Sequence, residues 1–212
     1  MSDKVDLFVG HVKERARWNN VDLVFAQESH LQYPGSKSLV NGYFIDKGGK
    51  REFGVAMGKP MDKWLSVLVH ESSHMDQWME DAYCWKERLI PGTGIEALDE
   101  IFRWTAKEIE LPPEKVSDYI RRARNVELDC EWRTVQKIRE FDLPIDLVSY
   151  IQGANSYLFF YTVMKVTRAW YIPGKEPYNI PEVWSLAPKH LMPLNDYKEV
   201  PVALMEAYKS LL

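Results

Sequence analysis

Two histidines four residues apart, with a glutamate directly after the first, stand in the run 68–78, LVHESSHMDQW. At i and i+4 of a helix, His70 and His74 project from one face and can take adjacent corners of a tetrahedral zinc site. Glu71 has the place of the glutamate that, in an HExxH arrangement, stays off the metal and takes a proton from water whose pKa the metal has lowered. The plain alternative is an ordinary helix in which two histidines happen to fall at this spacing. Leu65, Val67, Leu68 and Val69 weigh against it, because they make the segment apolar, and two imidazoles in a buried helix are costly unless hydrogen-bonded or metal-bound.

The motif needs a helix and a scaffold to present it. From 61 to 79 the periodicity is helical, without glycine or proline, and Asp62 is placed to cap the start. Just upstream, LVNGYFID and REFGVAMG flank Lys47, Gly48, Gly49 and Lys50, so a β-hairpin over about 39–58 leads into that helix. Val5, Phe8, Val9, Val12 and Ala16 recur at helical spacing and predict a helix over 3–18, followed by a strand at 21–26. Further helices are expected at about 94–109, 113–140, 146–170 and 200–211. The proline-rich stretch 172–197, with Trp184, Leu186, Leu191 and Met192, reads as ordered coil wrapped over them. The expected class is α+β, mostly α, with 1–212 forming a single domain.

Composition narrows the function. At 212 residues and 46% hydrophobic content the chain can bury a sizeable core. A net charge of -4, with 27 basic and 31 acidic residues well mixed, offers no basic surface for nucleic acid and no polybasic membrane anchor. The strongly apolar segment 150–170 contains Gln152, Asn155, Lys165 and Arg168 and reads as a buried helix rather than a membrane span. The opening residues carry charges throughout, unlike a signal peptide. Cys84 and Cys130 lie far apart, which disfavours a disulfide framework or a cysteine zinc knuckle; both read as small buried apolar residues in a cytoplasmic protein.

The motif on a helix behind a hairpin resembles the zincin metallopeptidases. That resemblance implies a zincin-like fold, a bound Zn2+ and a peptide or protein substrate that pairs, extended, with the strand before the helix. The counterpart of that strand is 51–58, REFGVAMG, expected at a sheet edge. A metzincin continuation is absent, because Gln77 and Glu80 stand where its glycine and third histidine belong. The gluzincin branch draws a glutamate from a later helix, often as Glu-x-x-x-Asp, and 127–131, ELDCE, resembles that shape. The resemblance implies Glu127 as third metal ligand and Glu131 as the residue orienting a histidine, with Glu131 and Asp129 as alternative ligands. Such charges could also form surface ion pairs, Glu127 with Arg124 for example.

For the oxyanion donor that gluzincins take from tyrosine or histidine, Tyr157, Tyr161 and His190 are candidates. Tyr157 ranks first, although an aromatic run at helical spacing also reads as core. His11 and His30 have no ligand-spaced neighbours. HESSHMDQW together with ELDCEWRTV further resembles zincin-like proteins encoded by bacteriophages, which implies the host cytoplasm as the setting. The expected function is a zinc-dependent peptidase of narrow specificity, since an unrestrained protease would be hazardous there. Its rival is a catalytically silent zinc-binding interaction or virion-associated protein.

Overall fold

The computed structural model describes residues 3–212. In chain order the elements are α1 (Asp3–Trp18), β1 (Asp22–Ala26), β2 (Leu31–Gln32), β3 (Leu39–Val40), β4 (Gly42–Lys47), β5 (Lys50–Ala56), α2 (Met61–Met79), α3 (Tyr83–Glu87), α4 (Ala97–Thr105), α5 (Pro113–Glu140), α6 (Leu147–Thr167), α7 (Pro181–Trp184) and α8 (Val202–Tyr208). The class is α+β and mostly helical. Two compact units divide the chain: Met1–Ala82 with Arg133–Ile145, and Tyr83–Trp132 with Asp146–Leu212. No helix among the described residues is long and apolar enough to cross a membrane.

In the first unit, β4 and β5 form the expected hairpin. Gly48 and Gly49 at its tip take φ of 62° and 81°, the left-handed pair that a tight hairpin turn requires. The sheet order is β1-β5-β4, with β1 parallel to β5 and β4 antiparallel to it. This corrects the expectation that 51–58 forms a sheet edge. β5 is the central strand, because β1 pairs along its other side from far upstream, and β4 is the antiparallel edge. Central placement agrees with the burial of Phe53, Val55 and Ala56. The short pair β2 and β3 contributes Leu31, which joins Tyr43 and Ala56 in a small apolar cluster.

α2 packs against β4 and β5, burying Trp64, Leu65, Leu68, Val69 and Met75. Its start is not capped by Asp62: Pro60 is the cap residue and no side chain bonds the free N–H groups. α1 buries the five residues that the periodicity singled out. The last turns of α5 are tied to α2 by polar contacts. Thr134 Oγ1 donates to Ser73 Oγ at 3.0 Å, and Lys137 Nζ donates to Ser72 Oγ at 2.9 Å and lies 2.7 Å from Asp76 Oδ2. Arg15 of α1 pairs with the other Asp76 oxygen at 2.8 Å, so one buried carboxylate cross-links three helices.

The second unit is built around α6, which is apolar on every side and buried accordingly. Its few polar groups hold the proline-rich wrap. Gln152 Nε2 donates to the carbonyls of Ser185 and Ala187, and Asn155 Nδ2 to those of Pro188 and His190. Two expected helices end early for local reasons. Gly94 and Lys107 adopt φ of 70° and 62°, confining the helix expected at 94–109 to Ala97–Thr105, and Arg168 at φ 52° stops α6 after Thr167.

Candidate metal centre

The site grows from α2. Over its middle turns the helix presents His70 and His74 with ring centroids 4.8 Å apart and planes nearly perpendicular, at 86°. His74 Nδ1 lies 2.8 Å from Gln77 Oε1. A carbonyl oxygen only accepts, so Nδ1 carries the proton and Nε2 is left with a lone pair for a metal. Gln77 is fully buried and so holds that ring by a rigid contact.

The two residues between the histidines also matter. Ser72 and Ser73 are buried, and their hydroxyls turn back to the Val69 carbonyl at 2.7 and 2.9 Å. Side chains this small let the end of α5 approach α2 through the Ser73–Thr134 bond. Cys130 stands one helical turn before Thr134 on α5 and is completely buried. His70 and His74 can each offer one ring nitrogen to a metal ion, and these atoms lie within 4.8 Å of one another.

Glu71 is half-buried and points toward the sheet. A Cβ built on Gly42, the first residue of β4, would stand 2.4 Å from Val67 Cγ1 and 3.1 Å from Glu71 Cγ. Only glycine lets the edge strand start this close to the side chains of α2. The carboxylate-bearing residue of the motif thus sits under the beginning of the free sheet edge.

The other expected site residues lie as follows. Glu127 is on α5, one turn before Glu131. Its charge reaches Tyr157, Tyr161, Tyr171 and Tyr178. Burial first, then neighbouring charges including Glu127, push the Tyr157 and Tyr161 phenols well above the usual tyrosine value, so both stay protonated and able to donate. Their hydroxyls are 3.3 Å apart, and the Tyr157 ring meets Tyr178 edge-on at 5.7 Å. Glu131 is buried and accepts a hydrogen bond from Tyr150 Oη at 2.6 Å. Asp129 lies half-buried between them on the same helix.

The remaining histidines stand apart from the metal group. His190 exposes its side chain, His11 packs with Phe8 and Phe141, and His30 contacts Ser29 and Lys59. One contributor escaped the sequence reading: Gln77 registered there only as a missing glycine. Comparison with protein-family models, with curated proteins and with solved structures finds no match.

Proposed function

We propose that the chain is a zinc-dependent hydrolase acting on peptides, with Glu71 as general base. The observation that carries this reading is the arrangement on α2: two histidines on one face, one already oriented by Gln77, and a glutamate beside them beneath a free sheet edge. Paired imidazoles suit zinc, which favours nitrogen donors. His70 and His74 would hold the ion, with Glu127 as the third donor that the gluzincin resemblance implies. When bound, zinc supplies a Lewis acid that makes water nucleophilic near neutral pH.

The chain's own residues do the rest. Glu71 accepts a proton from water and returns it to the leaving amine, as the place of a carboxylate beside the ligands requires. Gln77 keeps His74 in the tautomer that ligates. β4, as an edge strand of the sheet, is where an extended peptide can add as a further strand, bringing its carbonyl past Glu71. Tyr157 is the proposed donor to the oxyanion, its phenol held protonated by burial.

The rival reading is a silent zinc-binding interaction or virion-associated protein. It gives no role to Glu71. The test is zinc-dependent cleavage of a defined peptide mixture, followed by mass spectrometry. Cleavage by wild type, with loss of at least a hundredfold in Glu71→Gln while zinc remains bound, supports the hydrolase; equal traces from both proteins refute it.

A further inference from the structure

Beside the start of β4 lies a polar group that the reaction proposed above does not use. Lys59, half-buried just after β5, donates from Nζ to Asn41 Oδ1, and the same ammonium lies 3.4 Å from His30 Nε2. His30 Nδ1 in turn contacts Ser29 Oγ at 3.1 Å. Each partner of Lys59 is neutral or a base, and no carboxylate among the described residues pairs with it. Lys4, Lys50, Lys137 and Lys209, by contrast, each pair with an acid. A half-buried ammonium with neutral partners retains most of its capacity to attract an anion.

Its position gives that capacity a purpose. Asn41 directly precedes Gly42, the residue over Glu71, and its carbonyl accepts from Ala56 N at 2.9 Å, which continues the β4–β5 ladder by one step. Strand residues alternate faces, and Gly42 faces α2, so Asn41 faces the opposite side of the sheet together with Lys59 and His30. An extended peptide added along β4 alternates likewise. A side chain next to Asn41 and directed to that opposite face meets the Lys59 ammonium.

Resting on the peptidase reading, we propose that Lys59, supported by His30 and Asn41, is a specificity-determining subsite that selects peptides carrying an anionic side chain close to the bond presented to Glu71. The anion is a carboxylate or a phosphate on the peptide, and the two are separable by experiment.

The test is fluorescence-anisotropy binding of zinc-loaded protein to labelled ten-residue peptides in which one position at a time is Glu, Gln or phosphoserine. At one register the Glu peptide binds about tenfold tighter than its Gln twin, the size of one added hydrogen bond to a charged group. The preference disappears in Lys59→Met and survives in Lys59→Arg. A phosphoserine peptide that outcompetes Glu assigns the subsite to phosphate, and the reverse order assigns it to carboxylate. Equal binding of Glu and Gln peptides at every register, or a preference that persists in Lys59→Met, overturns the subsite while leaving the peptidase reading intact. Failure of every peptide to bind overturns both.

Discussion

Replacing the buried Arg124 by methionine should make the protein more stable. Arg124 is 5% exposed inside the second unit and donates from Nη2 to Thr162 Oγ1 at 2.6 Å, with no carboxylate partner among the described residues. Burial, only partly offset by Tyr161 and Tyr197, pulls its guanidinium well below the usual arginine value, down to about 10. At about 1.4 kcal/mol per tenfold, that displacement corresponds to roughly 3 kcal/mol held against folding at neutral pH. Methionine has similar reach, no charge and an adaptable thioether. Loss of the bond to Thr162 costs about 1 kcal/mol, softened because Thr162 Oγ1 still donates to the Tyr197 carbonyl at 2.6 Å. The net gain is about 2 kcal/mol, the sign found when unsatisfied buried charges give way to apolar groups. For a chain of this size that raises Tm by about 4–8 °C. Calorimetric melts of wild type, Arg124→Met and Arg124→Lys check it, with Arg124→Lys at or below wild type. A Tm for Arg124→Met several degrees below wild type, with native circular dichroism, would falsify the reasoning and show a net favourable role for the guanidinium.

Three further outcomes follow from the contacts described. Gly42→Ala drives a methyl against Val67 Cγ1 and the Gly54 carbonyl, so denaturant titration should show a loss of about 1–3 kcal/mol; an unchanged midpoint contradicts the tight approach of β4 to α2. Gln77→Leu removes the acceptor from His74 and should weaken zinc binding about 10- to 100-fold in chelator competition, whereas unaltered affinity rejects the orienting role. Glu87 is held below its ordinary value of 4.5, chiefly by its hydrogen bond to Arg121, with Asn125 also donating. A depressed carboxylate stabilises fully above its unfolded pKa and loses that contribution as pH falls through the folded value. Melts of wild type and Glu87→Gln should therefore differ most above pH 4.5 and converge below it; a constant gap across that range counts against this account.

The local parts of this fold were legible in the sequence because their causes are local. The helices at 61–79 and 113–140 form within the expected bounds, each opened by proline and carried by unbroken periodicity. The hairpin follows from two glycines between β-prone runs. What escaped was non-local. The parallel pairing of β1 with β5 joins segments far apart in the chain and moves the sheet edge from β5 to β4, which no strand pattern encodes. Gln77 shows its role only through the distance to His74.

The central claim is that His70 and His74 on α2 ligate zinc, and zinc content is the most direct measurement of it. Elemental analysis of purified wild type, His74→Ala, Glu127→Ala and Glu71→Gln, each dialysed against zinc and then against buffer, should give close to one zinc per chain in wild type and Glu71→Gln and almost none in His74→Ala and Glu127→Ala. Zinc retained in Glu127→Ala would reject Glu127 as third ligand. Wild type that holds no zinc after loading, while remaining folded, would contradict the account.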